Sequence, residues 1–201
     1  VNGGRLIAFE GVDGSGKSTQ LRLLAGALRG AGRAVLETRE PTDGAWGRRI
    51  REMARGGARV APAEELRWFV EDRREHVANE IAPALAAGAA VLTDRYFLST
   101  VAYQGARGLD PARLLAEAEA EFPLPDLALV LDLAPEEGLA RVAARGGAPE
   151  PAFEEAAFLS AASALFRSLH RPYVEHVDAG AAREVVHGRV REVVARRLAL
   201  L

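Results

Sequence analysis

The residues with the plainest chemical purpose form one run, Gly11-Val12-Asp13-Gly14-Ser15-Gly16-Lys17-Ser18. It fits the pattern G-x-x-x-x-G-K-[ST], in which glycines let the backbone curl until several N–H groups face one anion. A helix opening at the same point adds its positive N-terminal potential. The run predicts a phosphate cradle for a nucleoside triphosphate made by Gly11, Gly14, Ser15, Gly16 and Thr19, with Lys17 reaching the β and γ oxygens and Ser18 holding Mg²⁺. Lys17 is the only lysine among 26 basic side chains; all the others are arginine. A chain that replaces lysine everywhere else keeps it here because this position needs a compact ammonium rather than a planar fork.

Two further clusters follow short apolar runs: Thr38-Arg39-Glu40-Pro41, and Asp94-Arg95 leading into Tyr96-Phe97-Leu98-Ser99-Thr100-Val101-Ala102-Tyr103-Gln104-Gly105. An open α/β sheet binds ligands beyond the carboxyl ends of its strands, where both clusters lie. Asp94 is a candidate Mg²⁺ ligand beside Ser18, and an arginine directly after a strand-end aspartate suggests a second phosphate to clamp. A guanine-reading N-K-x-D motif would need a second lysine, and the strand-end Asp-Glu of a motor ATPase is missing from both candidate strands. Phe69 and Arg73, at i and i+4, share a helix face, where a ring and a guanidinium can stack on a base and hydrogen-bond it. Taken alone, that phenylalanine is equally suited to a core and that arginine to a solvated ion pair.

The elements that position these groups are read from periodicity. Apolar runs at 5–10, 34–38, 89–94, 127–133 and 173–177 read as strands, and helical spacing covers 19–29, 63–87, 111–121, 153–169 and 182–200, with a further helix ending near residue 145. Alternation of this kind predicts an α/β fold with about five parallel strands covered by helices on both faces. The 201 residues suit a single domain, with the Gly/Pro-rich segment 146–152 as a short lid.

Composition removes other classes. With 26 basic against 28 acidic side chains the chain has no field for holding nucleic acid, and no run of 18 apolar residues exists to span a membrane. The absence of cysteine excludes a disulfide framework and a thiolate metal site. The first residues lack the plan of an export signal, so the expected location is the cytoplasm. His76, His170, His176 and His187 have no ligand spacing and are expected at the surface or as caps. Glu64-Glu65 and Glu154-Glu155 are expected in first helical turns, where the helix dipole accounts for them.

In order and spacing, FEGVDGSGKSTQ, TREPT, the FxxxR helix and DRYFLSTVAYQG resemble the thymidylate kinase family, from about residue 6 to 145 and more weakly to the C-terminal helix. The resemblance implies a P-loop NTPase fold, transfer of the γ-phosphoryl group of ATP to dTMP with Mg²⁺, and a homodimer. It implies that Asp13 lies near the acceptor sugar and phosphate and that Arg39 and Arg95 clamp the dTMP phosphate. Phe69 would stack on thymine and Arg73 would bond its edge; Ser99, Thr100 and Gln104 would line the base and sugar side. Tyr103 would crowd the 2′ position and Arg141 would lie against adenine. The family meets transferring charge with an arginine from the P-loop or the lid, but the P-loop position here is Gly14 and the lid reads Pro151-Ala152-Phe153-Glu154 without Asp-Arg. Arg145 is the expected substitute, with Arg141 next. Two other readings stay open: a kinase of other or several deoxynucleoside monophosphates, and a nucleotide-gated P-loop binding protein.

Overall fold

The computed structural model describes residues 3–56, 60–144 and 156–201. Five strands, β1 (Arg5–Glu10), β2 (Val35–Arg39), β3 (Ala90–Asp94), β4 (Leu127–Asp132) and β5 (Val174–Asp178), form one parallel sheet in the order β2-β3-β1-β4-β5. The inner strands β1, β3 and β4 are buried at nearly every position, so their unbroken apolar runs match a sheet covered on both faces. The edge strands β2 and β5 are only partly buried and admit Glu37 and Glu175.

Register brings the site together. Phe9 and Arg39 both pair with Asp94, so the residues after β1, β2 and β3 emerge side by side. The central strand β1 has β3 on one side and β4 on the other, and the chain leaves it at a reversal of strand order, where such sheets open a crevice.

Helix α1 (Lys17–Gly30) buries Leu21, Leu24 and Leu28, the leucine repeat that predicts it, and packs with α9 (Arg183–Leu198). The remaining helices are α2 (Ala45–Gly56), α3 (Pro62–His76), α4 (Ala82–Ala86), α5 (Phe97–Ala106), α6 (Pro111–Glu121), α7 (Pro135–Ala144) and α8 (Ala156–Ser168). The helix expected over 63–87 is broken by a π-helical turn, Val77–Ile81, between α3 and α4. Pro83 has no N–H to offer residue 79, and a wider turn just before it absorbs that defect. Two helices escape the periodicity reading. α5 is buried from Phe97 through Gln104, so it shows no polar face, and α2 hides three apolar residues, Ile50, Met53 and Ala54, among arginines. Arg145, the lid segment 146–152 and the expected start of the next helix lie outside the described residues.

Candidate active site

The cradle depends on backbone conformations that side chains resist. Gly11, Gly14 and Gly16 have φ of +128°, +79° and +98°. A Cβ on Gly11 would stand 2.7 Å from the carbonyl oxygen of Leu131, and one on Gly14 would strike the backbone of Gly138 on α7. Gly16 precedes α1 with no side chain capping the helix, which leaves its first N–H groups to an anion. Lys17 is 6% exposed and its Nζ donates to the carbonyl of Val12 at 3.0 Å, 3.9 Å from Asp13 Oδ1. Burial pushes its ammonium below the usual lysine range, and Arg95 adds to this while Asp13, Asp94 and Glu10 oppose it. A cavity of about 330 Å³ runs past Gly14, Gly16, Lys17, Ser18, Thr19, Asp94 and Arg95.

The Ser18 hydroxyl donates to Asp94 Oδ2 across the end of β3. Two oxygen donors beside a phosphate cradle fit Mg²⁺, which keeps several waters and takes its other ligands from substrate phosphates. Among the described residues no cluster of three or more His, Cys, Asp or Glu forms a protein cage for a metal.

A second cavity, of about 240 Å³, adjoins the first. Asp13, Arg39, Phe69, Arg73, Arg95, Ser99, Thr100, Tyr103 and Gln104 all line it, which brings together every residue expected on the acceptor side. Asp13, Arg39, Glu40 and Arg95 line both cavities and so mark the junction.

Arg95 organises that junction. Its φ of +73° is left-handed, a conformation costly outside glycine, and its backbone N–H bonds Phe9 O at 2.9 Å. Its Nη2 donates to Asp13 Oδ1 at 2.6 Å and to Tyr103 Oη at 3.3 Å, and its Nη1 to Ser99 Oγ at 3.1 Å. Enclosure alone would raise the Asp13 carboxyl, but Arg95 and then Lys17 outweigh it and hold the group below the usual carboxylate range. Burial likewise works against the charge of Arg95, and Asp13 foremost restores it. Burial lifts the Tyr103 phenol well above its ordinary range. Beneath this cluster Glu10 is fully buried, accepting from Tyr96 N at 3.0 Å and Ser99 Oγ at 2.5 Å, and burial pushes its pKa up to about 7.

At the far end, Arg73 is 1% exposed, not solvated. Its Nε and Nη2 donate to Glu40 Oε2 at 2.9 and 2.7 Å, and Nη2 also reaches Thr100 Oγ1 at 2.9 Å. Phe69, half-buried, stands one turn back along α3 and closes the cavity wall. The expectation for His76 is corrected: it is buried, with Nδ1 3.1 Å from Glu40 Oε1 and Nε2 2.7 Å from Thr38 Oγ1. Burial would raise the Glu40 carboxyl, but Arg73 and then His76 keep it below its usual range. Glu64 and Glu65 stand in the first turn of α3 as expected, and Glu65 does more than meet the helix dipole: it is wholly buried and bonds Arg107 and Gln104. No local pattern announces the burial of Glu10, Glu40, Glu65 or His76, because their partners lie on other elements.

Two expected arginines have their guanidinium groups engaged with neighbours outside the ligand seats. Arg39 is exposed and its Nη2 donates to Asp43 Oδ1 at 3.0 Å. Arg141, on α7, donates to Ala179 O at 3.2 Å and Glu137 Oε1 at 2.6 Å; it lines neither cavity, whereas its neighbour Val142 borders the phosphate cavity.

Two seats that share an arginine–aspartate junction, one floored by a phosphate cradle, define a P-loop phosphotransferase. The chain belongs to the thymidylate kinase family, whose family model matches residues 9–190. It is 46% identical to a thymidylate kinase of Akkermansia muciniphila over 194 residues, 96% of this chain and 93% of that one. It is 48% identical to a thymidylate kinase of Xanthomonas campestris pv. campestris over 197 residues, 98% of this chain and 86% of that one. A thymidylate kinase of Desulfotalea psychrophila is 46% identical over 178 residues, 89% of this chain and 88% of its own length. Among the described residues no helix is long and apolar enough to cross a membrane.

Proposed function

We propose that this chain transfers the γ-phosphoryl group of ATP to the phosphate of dTMP, giving ADP and dTDP. The observation that carries the reading is the junction: Asp13, Arg39, Glu40 and Arg95 border both cavities, so two phosphates seated on either side of them face each other. The acceptor phosphate, already anionic, supplies the attacking oxygen; the bond from γ-phosphorus to the β–γ bridging oxygen breaks, and ADP leaves. No side chain has to remove a proton, so the work is positioning and charge neutralisation.

Lys17 and the N–H groups of the cradle bind the donor phosphates, and Arg95 and Arg39 hold the acceptor phosphate. Arg95 can do so by exchanging part of its contact with Asp13 for the ligand, which frees Asp13 toward the acceptor sugar. Phe69 stacks on the base while Arg73 and Gln104 meet its edge. Ser18 and Asp94 would hold Mg²⁺, which would supply charge neutralisation at the donor phosphates. Arg145, just before the proposed lid segment 146–152, supplies charge to the transferring group, and Arg141 supports the adenine side. The family resemblance supports one catalytic domain working as a cytoplasmic homodimer.

A coupled ADP-release assay over deoxy- and ribonucleoside monophosphates tests the assignment. The expected result is ATP turnover that depends on dTMP. ATP binding with no turnover on any monophosphate would favour a nucleotide-gated binding protein, and equal use of several monophosphates a broader kinase.

A further inference from the structure

The burial of Glu65 has consequences for base choice. Gln104 is 1% exposed and lines the acceptor cavity. Its Nε2 donates to Glu65 Oε1 at 2.9 Å, and the other oxygen of Glu65 accepts from Arg107 Nη1 at 2.5 Å. Arg107 is held in turn by its Nη2, which donates to Val60 O at 3.1 Å. An ion-paired carboxylate has only acceptors, so the neighbouring amide can face it only through its NH₂ group. That orientation sends Gln104 Oε1 to the other side, where it is buried and without a hydrogen-bond partner among the described residues. A buried acceptor left unpaired is costly, which makes it a place for a ligand donor.

Arg73 supplies the complement. Its Nε and Nη2 are taken by Glu40 and Thr100, which leaves Nη1 as a donor on the same cavity wall. The cavity thus offers one fixed acceptor and one fixed donor. A pyrimidine with an N3–H donor beside a C4 carbonyl matches this pair, as in thymine and uracil. Cytosine presents the reverse, a bare N3 and a 4-amino group.

We propose that Glu65 is a positioning residue for base selection: it locks the carboxamide of Gln104 with its oxygen toward the acceptor cavity, so that N3–H pyrimidines are taken and cytosine is refused. The proposal rests on the dTMP kinase reading above and concerns the acceptor end of that site.

The experiment compares kcat/KM for dTMP, dUMP and dCMP in the unmodified enzyme and in Glu65→Gln, Glu65→Asp and Gln104→Met. An amide at 65 accepts either orientation of Gln104, so Glu65→Gln should raise the dCMP-to-dTMP ratio by about tenfold or more, the factor that one hydrogen bond carries. Glu65→Asp keeps an acceptor-only group and should retain the ratio at lower overall rate. A purely structural role would lower all three substrates together in Glu65→Gln and leave the ratio unmoved, which would overturn the proposal. If Glu65→Gln fails to fold, Gln104→Met decides, since an unchanged preference for dTMP over dCMP would show that the amide does not read the base. Failure of the unmodified enzyme to use dTMP at all would instead remove the kinase reading itself.

Discussion

Gly14 and Gly138 meet backbone to backbone: a Cβ on Gly14 would strike the Gly138 carbonyl, and one on Gly138 would strike the carbonyl oxygen of Asp13. The P-loop is therefore seated directly on α7, and no side chain at position 14 fits between them. This gives a physical reason for the missing P-loop arginine, because the conformation of Gly14, with φ +79°, and the space around it both reject one. Gly14→Ala should lower stability by about 1–2 kcal/mol or more and raise KM for ATP as the cradle is displaced. Thermal melts and ATP titration check this; a Gly14→Arg variant with a parental melt and higher kcat would contradict the packing argument.

Lys17→Met should cut kcat by at least about 10²-fold while the fold survives, since Lys17 donates to a single loop carbonyl and its ammonium serves the donor phosphates. Circular dichroism beside the coupled assay separates loss of chemistry from loss of structure. Parental turnover in a folded Lys17→Met protein would end the P-loop assignment.

Tyr103 concerns the sugar. Its ring packs at 80° against Phe166 with centroids 6.0 Å apart, and its hydroxyl meets Arg95, so the ring is fixed against the acceptor cavity. The unmodified enzyme should use dTMP far better than ribothymidine monophosphate. Tyr103→Ala should narrow that gap, whereas Tyr103→Phe, which keeps the ring, should preserve it. Equal use of both sugars by the parent would take this role from Tyr103.

Glu10 sets a pH dependence. Its pKa rises from an ordinary 4.5 to about 7, first because of burial, so the folded protein holds this proton more tightly than the unfolded chain. The contribution is fully present below pH 4.5 and is lost as pH rises through about 7. Glu10→Gln mimics the neutral carboxyl and should gain on the parent over that interval by up to about 3 kcal/mol. Urea unfolding of both proteins from pH 4.5 to 8 reads the difference directly. A difference that stays flat would mean that Glu10 is ionised throughout.

The arginines near the lid divide the remaining work. Arg141 is tied to Ala179 at the β5 end and should act on the donor base, so Arg141→Ala should raise KM for ATP with a smaller change in kcat. Arg145→Ala should lower kcat roughly 10³-fold with little change in KM for dTMP. Steady-state kinetics in both substrates distinguish the two, and a fully active Arg145→Ala would move the search to another arginine, with Arg167 the next to test.

What could be read from the chain alone follows from distance along it. The cradle is eight consecutive residues whose glycines dictate backbone shape, so its presence and its ligand are written locally. Buried parallel strands such as Leu127–Asp132 announce themselves by unbroken apolar runs, and α1 by its leucine period. The strand order, and the register that sets Arg39 and Phe9 beside Asp94, carry no local trace. Neither does α5, because a helix buried on all sides has no period to detect. The tertiary structure alone decided which charges are buried. Arg73 meets Glu40 across 33 residues, His76 meets it across 36, and Gln104 meets Glu65 across 39. Each of these groups, taken by itself, favours water over an apolar interior, and only a partner delivered by another element reverses that preference.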